Sequence, residues 1–264
     1  MKRGTVTCPI QSLKGIAKVN TRLCTDTIKL YGRKIELTYL RSHPAFKFRG
    51  YEGNNILFDI VCPITGYSKP LKYHAPTKSC TWEIALPRLV HPTNGTLLTL
   101  TEATEAIELL MEHTGLNLLD FQICRLDITH DITFSPTSFR AVRGHLKAPS
   151  YWQPERIDYK DSYNFAFSTT PNGKTGRAEK FLLFYAKEGK TRIELRLFSS
   201  SAMKRALGLA RSLTMADILT EGFIDKANAY FAQTIEQVTS KNGNPLAKGL
   251  KRLALAALPE AVLC

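Results

Sequence analysis

Residues 181–198 read FLLFYAKEGKTRIELRLF, in which apolar residues surround a short charged segment. The apolar residues on both sides of Glu188 and Gly189 predict a β-hairpin with a two-residue turn. If Lys187 pairs with Lys190, the alternation of side chains makes one face of this hairpin apolar, and that face is buried in a core. It carries Leu182, Phe184, Ala186, Thr191, Ile193, Leu195 and Leu197.

The opposite face of the hairpin is polar. The antiparallel register places Tyr185 opposite Arg192, and directly opposed residues share one face of a sheet. A tyrosine hydroxyl among several cations and a single carboxylate, Glu194, is typical of a site that binds phosphate. The cations of this face are Lys187, Lys190, Arg192 and Arg196.

The composition favours a polyanionic partner. The chain has 264 residues, 44% of them hydrophobic, so it can bury the core of one large domain or of two small ones. Its formal net charge of +13 favours nucleic acid first and an anionic membrane surface second. A basic protein that is merely soluble remains the alternative.

The sequence argues against several common classes of protein. No apolar run approaches the ~20 residues of a membrane span, and none follows the basic start as in a secretory signal. Six cysteines without any CxxC spacing predict reduced thiols in a cytosol, not a zinc ribbon or a disulfide framework. The absence of a GxxxxGK(S/T) phosphate loop gives no indication of ATP-driven work, and there is no GxSxG or HExxH motif.

The order of predicted elements indicates an α+β fold, with a mainly antiparallel sheet, helices packed against it and a helical C-terminal region. We expect residues 1–200 to form an α+β domain and residues 201–264 to form the helical region. The first hundred residues alternate β-like runs, one of them over residues 27–40, with breaks at Pro, Gly and Asn.

The remaining elements follow from hydrophobic periodicity. A helix is predicted from an N-cap at Thr101 to a stop at Gly115. Residues 121–134 read as a strand, and residues 135–147 as a short basic helix with Pro136 near its start. Further strands are predicted at 163–169 and in the hairpin, and helices at 201–210, 214–239 and 246–257.

The segment RLDITHDI, which begins at Arg125, carries a second polar stripe. Alternation places Arg125, Asp127 and Asp131 on one face of this strand, and His130 on the apolar face as a core histidine. The two carboxylates share one side, and hard oxygen ligands suit Mg²⁺ or Mn²⁺. If the strand adjoins the hairpin, Asp127, Asp131 and Glu194 converge as metal ligands. A solvated strand face with Arg–Asp pairing is the alternative.

Two further cationic stretches are candidates for binding nucleic acid. Arg140, Arg143 and Lys147 recur at helical spacing in the predicted basic helix, and they would grip phosphates together with Arg125, Lys190 and Arg196. The C-terminal segment AKGLKR adds Lys248, Lys251 and Arg252, although a solvated helix face explains it equally well.

In several ordered segments over residues 80–235, the chain resembles the gene II replication initiators of filamentous phages (inoviruses). Those proteins in turn resemble rolling-circle initiators more widely. The segment CTWEIALPRLVHPTNG is similar to the family's Glu-Ile, small-Pro-basic and Gly-x-Asn segment, although its second half departs from the usual form. The segment ICRLDITHDITF resembles the family's Arg-hydrophobic-Asp strand, and TRIELRL resembles its Arg-x-Glu strand. The segment FLLFYAKE is similar to the strand that carries the nucleophilic tyrosine, and MKRALGLARSLTMADIL is similar to the helical region that follows.

The resemblance implies an endonuclease and strand transferase with Tyr185 as nucleophile and Lys187 as the lysine two residues on. Lys187 and Arg192, adjacent to and opposite Tyr185 on the hairpin face, would favour the phenolate and neutralise the pentacoordinate phosphate. Asp127 and Glu194 would hold Mg²⁺ or Mn²⁺, and Asp131 matches an acid seen in related plasmid initiators. Residues 1–200 would then be the origin-nicking domain. In the host cytoplasm it would nick the viral origin on supercoiled DNA through a 5′-phosphotyrosine intermediate, later rejoin the displaced strand, and work with host helicase and polymerase.

Two other classes of function remain open from the sequence. In a non-enzymatic DNA-binding regulator, the same cations would grip the phosphate backbone and the carboxylates would only orient them. A basic structural protein would bind single strands through stacking on Tyr and Phe. The acids favour the enzyme, because a pure binder has no use for Asp127 and Glu194 facing an anionic ligand.

Overall fold

The computed structural model describes residues 21–155, 165–169 and 179–259, and within them it confirms an α+β fold dominated by an antiparallel sheet. The strands are β1 Thr25–Arg33, β2 Phe46–Glu52, β3 Asn55–Val61, β4 Ser68–His74, β5 Ser79–Ala85, β6 Gln122–Ile132, β7 Leu146–Lys147, β8 Gln153–Glu155, β9 Phe165–Ser168, β10 Lys180–Lys187, β11 Lys190–Leu197 and β12 Thr239–Ser240. The helices are α1 Leu37–Ser42, α2 Leu100–Thr114, α3 Pro136–Val142, α4 Ser200–Leu207, α5 Met215–Ile218, α6 Glu221–Gln237 and α7 Pro245–Ala256.

Ten strands form one sheet in the order β2-β3-β4-β5-β1-β6-β11-β10-β9-β8, while β7 and β12 pair separately. The alternation of apolar and polar residues gives the sheet one buried face, against which α3, α4, α6 and α7 pack. The other face carries the polar side chains. The order places β6 beside β11, so the two polar stripes of the sequence are neighbours on that face.

The predicted hairpin is confirmed in its register. Lys187 pairs with Lys190, Tyr185 with Arg192, and Leu183 with Glu194. The turn residues Glu188 and Gly189 have φ angles of 47° and 79°, so both lie in the left-handed region that two-residue hairpin turns require.

Helix α2 begins two residues before the predicted start. Its N-cap is Thr99 rather than Thr101, because the Thr99 hydroxyl accepts from the Glu102 amide and the Glu102 carboxylate accepts from the Thr99 amide. The predicted end is confirmed, since Gly115 caps the helix with a φ angle of 63°.

Two local predictions are wrong. The β-like run over 27–40 breaks after β1, where Lys34 adopts a left-handed φ of 59° and the chain continues into α1. The basic helix 135–147 ends at Val142, a short 3₁₀ turn follows, and Lys147 then pairs with Thr239 between β7 and β12. Arg140, Arg143 and Lys147 therefore do not share one helical face.

The helix predicted over 214–239 is instead two helices, α5 and α6, because the extended backbone of Thr220 caps the start of α6. The prediction of a core histidine is confirmed. His130 is buried with its ring centroid 4.5 Å from that of Phe231 in α6, and burial lowers its pKa to about 4, as befits a neutral core histidine. The predicted boundary after residue 200 falls at the start of α4, but helices on its far side share one hydrophobic cluster with the sheet. None of the helices in the described ranges is long and apolar enough to span a membrane.

Candidate active site

The polar face of the sheet gathers four acids and three arginines where β1, β6 and β11 lie side by side. We call this group the acid–arginine cluster. Alternation on β6 and β11 accounts for six of its members, and β1 supplies the seventh. The cluster consists of Asp26, Asp127, Asp131, Glu194, Arg125, Arg192 and Arg196.

Tyr185 projects from β10 onto the edge of this cluster, and its Oη donates a hydrogen bond of 2.9 Å to Oε2 of Glu194. Burial and the charge of Glu194 raise the pKa of Tyr185 above its ordinary value, and the opposing effect of Arg192 is smaller. The sequence suggested that Lys187 and Arg192 would favour the phenolate. The raised pKa of Tyr185 favours the protonated phenol, and Glu194 is the group placed to accept its proton.

Asp127 and Glu194 form a pair of buried carboxylates, 1% and 3% exposed. Arg125 binds Asp127 through two hydrogen bonds of 2.9 and 2.6 Å. Arg196 donates from Nε to Glu194, and the same nitrogen lies 3.8 Å from Asp127 Oδ2. Burial, and then the charge of the neighbouring Glu194, raise the pKa of Asp127 to about 8, so its bonds to Arg125 offset only part of the cost of burying the ionised carboxylate.

Asp131 belongs to a different pair. Both of its carboxylate oxygens accept from Arg192, at 2.6 and 2.9 Å. Glu194 is linked to Asp127 instead, through Arg196. Across the described ranges, no group of three His, Cys, Asp or Glu side chains is arranged to hold a metal. The expected convergence of three acids is therefore reduced to the two acids Asp127 and Glu194.

Arg192 is the most enclosed arginine of the cluster, with a relative exposure of 0%. Its guanidinium makes two bonds to Asp131, one of 3.0 Å to Asp26, and one each to the carbonyl oxygens of Asn94 and Gly95. A guanidinium has five N–H donors, so every donor is used. This geometry makes Arg192 a clamp between strands and loop, and leaves it no donor for a DNA phosphate.

Asp26 is a cluster member that the sequence reasoning missed. The register between β1 and β6 shifts between Thr25 and Ile28, where two residues of β1, Asp26 and Thr27, lie opposite the single residue Asp127 of β6. Such a β-bulge re-aims side chains, and here it turns Asp26 to the polar face. Burial raises the pKa of Asp26 to about 6 even with Arg192 beside it. Simple alternation cannot reveal a residue that a bulge has turned.

The loop of residues 91–96 closes the site beside the hairpin turn. Lys187 Nζ donates 2.5 Å to Asn94 Oδ1, and Asn94 Nδ2 donates 3.3 Å to Asp26. The loop passes so close to the turn that a Cβ on Gly95 would lie 1.8 Å from the Glu188 carboxylate. Asn94 thus positions the ammonium group of Lys187 with a hydrogen bond from a neutral amide oxygen, not with an ion pair. The resemblance drew attention to the segment HPTNG, but it left open whether Asn94 does more than shape a loop.

The other cations predicted to bind DNA lie in different settings. Arg125 and Arg196 are 20% and 28% exposed and are ion-paired within the cluster. Lys190 is exposed at the end of the hairpin. Arg140 and Lys147 are exposed on α3 and β7, and Arg143 is half-buried between them.

The residues present fit a hard divalent cation. The neighbouring carboxylates of Asp127 and Glu194 supply the oxygen ligands that Mg²⁺ prefers, and Mg²⁺ commonly takes its other ligands from water and substrate phosphate. The pKa of Asp127 is raised first by burial and then by the charge of Glu194, and a cation bound between the two acids would offset both effects. Arg125 and Arg196 now supply that charge and would have to share the two carboxylates with the ion.

Searches against models of known protein families and against curated proteins returned no match to this chain. Tyr185 and the acid–arginine cluster are therefore the features of the chain that bear on its function.

Proposed function

We propose that the chain is a rolling-circle DNA replication initiator, a metal-dependent endonuclease and strand transferase that uses Tyr185 as its nucleophile. The observation that carries this proposal is the 2.9 Å hydrogen bond from the Tyr185 hydroxyl to the buried carboxylate of Glu194. A nucleophile beside a base, with the base in turn oriented by a third group, is the arrangement of covalent catalysis. The resemblance to the gene II initiators of filamentous phages supports the same conclusion.

In the proposed reaction, the phenol oxygen of Tyr185 attacks a backbone phosphorus atom while its proton passes to Glu194. The bond between phosphorus and the 3′ oxygen breaks, and the released 3′ oxygen takes a proton from water. The DNA then carries a free 3′-hydroxyl, and its 5′ phosphate is esterified to Tyr185. Attack by a 3′-hydroxyl on this ester rejoins a strand and regenerates the phenol, so no ATP is consumed.

The protein environment supports each part of this step. The raised pKa of Tyr185 makes a proton acceptor necessary, and Arg196 fixes the Glu194 carboxylate from its far side. Asp127 and Glu194 would hold Mg²⁺ or Mn²⁺. Such an ion, when bound, acts as a Lewis acid on the scissile phosphate.

The proposed partners follow from charge and from the resemblance. The substrate would be the viral origin on supercoiled duplex and the displaced single strand, in the host cytoplasm with host helicase and polymerase. The net charge of +13 favours this polyanion. Lys190, with Arg140, Arg143 and Lys147 on the neighbouring α3–β7 segment, would bind phosphates outside the cluster.

One observation favours a non-enzymatic DNA-binding protein instead: every acid of the acid–arginine cluster is already bonded to an arginine. Incubation with supercoiled phage replicative DNA and Mg²⁺, followed by denaturing electrophoresis, separates the two proposals. A covalent adduct between the protein and a DNA 5′ end supports the enzyme, and binding without any adduct supports the regulator.

The metal requirement gives a first prediction. We expect EDTA to abolish nicking, and Asp127→Asn and Glu194→Gln each to lower it by about 100-fold or more, because both remove a charged oxygen ligand. The amides keep the side-chain volume, so circular dichroism should show a folded protein. Asp59→Asn serves as control, because Asp59 is partly exposed on β3 and pairs with Arg49 away from the cluster. Normal Mg²⁺-dependent nicking by either cluster variant would exclude that ligand.

A second prediction concerns the α3–β7 segment. Reversing the charges of Arg140 and Arg143 to Glu should weaken DNA binding steeply at low salt, because each lost phosphate contact lowers the salt slope by roughly one unit. Cleavage of a short pre-melted single strand should change little. Lys226→Glu, an exposed change on α6, is the control. An unchanged salt slope in the double variant would move the DNA-binding surface elsewhere on the sheet.

A further inference from the structure

The arginines of the acid–arginine cluster are poorly available to DNA. Arg125 is bonded to Asp127 and Glu83, and Arg192 to Asp131 and Asp26. Arg196 is bonded to Glu194. Carboxylates that neutralise these cations compete directly with a phosphate for the same N–H donors. A strand of DNA lying beside Tyr185 therefore needs other cations to hold its backbone.

Arg88, unlike the arginines of the acid–arginine cluster, is not paired with a carboxylate in the part of the chain that the structure describes. It lies in the 3₁₀ turn Leu86–Leu89 that follows β5. Within the described ranges no carboxylate lies within ion-pair distance of its guanidinium, and its buried Nε has no hydrogen-bond partner. Its Cζ lies 4.9 Å from the ring centroid of Tyr67, in a cation–π contact that holds the guanidinium plane in place.

The backbone around Arg88 is fixed as well. The Arg88 carbonyl accepts a hydrogen bond of 2.6 Å from the Thr65 hydroxyl, and the side chains of Leu86, Pro87 and Leu89 are buried. The stacking ring is also anchored, because Tyr67 Oη accepts from the amide of Ala85 at 3.3 Å. An arginine with a fixed backbone, a fixed stacking partner and unused donors is preorganised for an anion.

Arg88 lies at the end of the sheet that carries the nucleophile. Ala85 pairs with Thr27, the neighbour of Asp26, and Asp26 contacts both Arg192 and Asn94. The order of the sheet places β5 four strands from β10, so these two strands lie about 19 Å apart across the sheet. That spacing suits a backbone phosphate several nucleotides from the one that is attacked.

We propose that Arg88, stacked on Tyr67, binds a backbone phosphate of the DNA strand that flanks the cleavage point. The proposal rests on the proposed function, because it assumes that DNA is the ligand. A planar guanidinium with free N–H donors matches the oxygens of a phosphate better than an ammonium does. Arg88 would then be a substrate-positioning residue rather than a catalytic one.

The test measures anisotropy of a fluorescein-labelled, mixed-sequence single-stranded oligonucleotide over a range of salt concentrations. Because backbone contacts carry no sequence information, the origin sequence is not needed. All proteins carry Tyr185→Phe to prevent cleavage. Arg88→Met removes the charge but keeps an unbranched side chain against the Tyr67 ring, and Arg88→Lys keeps the charge. Arg49→Met is the matched control, since Arg49 is exposed and paired with Asp59 on the far strands.

We expect Arg88→Met to weaken binding about tenfold at low salt and to reduce the salt slope by about 0.7, the value for one single-strand phosphate. Arg88→Lys should keep the slope and lose part of the affinity, and Arg49→Met should match the parent protein. An unchanged slope in Arg88→Met, or a lowered melting temperature as its only effect, would overturn the proposal and make the Tyr67 contact a packing contact.

Failure of this inference can be told apart from failure of the proposed function. If the parent protein does not bind the oligonucleotide at all, both are overturned. If it binds, and the protein with Tyr185 intact forms a covalent adduct with DNA, an unaffected Arg88→Met removes only Arg88. Should Arg88→Met fold poorly, Arg88→Gln, which also removes the charge, takes its place, and an unchanged salt slope in that variant would overturn the proposal.

Discussion

Tyr185→Phe is expected to reduce nicking and covalent attachment to DNA by about 10⁴-fold or more, because it removes the proposed nucleophilic oxygen. The ring stays in place on β10, so the fold and the affinity for DNA should be close to those of the unchanged protein. The loss of the bond to Glu194 leaves that carboxylate with Arg196, and so it is not left without a partner. Denaturing electrophoresis of supercoiled phage replicative DNA incubated with Mg²⁺ measures the adduct.

Tyr31→Phe provides the matched control. Tyr31 lies on the same polar face, on β1, and it has no hydrogen bond to an acid of the cluster. We expect this variant to nick at the normal rate. If Tyr185→Phe still formed the adduct, another residue would be the nucleophile, and the hydrogen bond to Glu194 would be a structural contact.

The sequence was sufficient to predict the hairpin and the strand over residues 121–134, but it left open whether the two are adjacent in the sheet. Alternation along residues 181–198 and a two-residue turn together determine the register, because a shift by one residue would turn Tyr185 and Arg192 toward the apolar core in place of Leu182 and Ile193. The polar stripe of Asp127 followed from the same period of two. The register of the hairpin and the polar face of a strand depend on residues close together in the sequence, so the hydrophobic pattern predicts them.

The missing parts of the site depend on contacts between distant segments. Asp26 reaches the polar face only through a bulge in β1, and Asn94 only because its loop lies against the hairpin turn. The partner of each arginine also depends on side-chain geometry. Asp131 therefore forms an ion pair with Arg192 and does not converge with Glu194 on a shared site. The direction of the pKa shift of Tyr185 follows from burial, which a residue pattern does not quantify.

The clamp at Arg192 leads to the largest expected effect on stability. Arg192→Met should lower the free energy of unfolding by about 3–5 kcal/mol, because it leaves the carboxylates of Asp26 and Asp131 without their cation. Asp26 is 2% exposed, so water cannot replace the lost partner. Urea unfolding followed by circular dichroism measures this change. Arg49→Met, which removes an exposed ion pair with Asp59, should cost less than about 1 kcal/mol.

A double-mutant cycle separates a clamp from a phosphate ligand. If Arg192 acts by neutralising Asp26, then Asp26→Asn should recover part of the stability lost in Arg192→Met, because the neutral amide carries no uncompensated charge. A phosphate ligand predicts a different result, in which Arg192→Met unfolds at nearly the normal urea concentration and loses DNA affinity with a shallower salt slope. The complete use of the five guanidinium donors within the fold favours the first result. Arg192 would then act on the reaction indirectly, by fixing the strands and the loop around Tyr185 and Lys187.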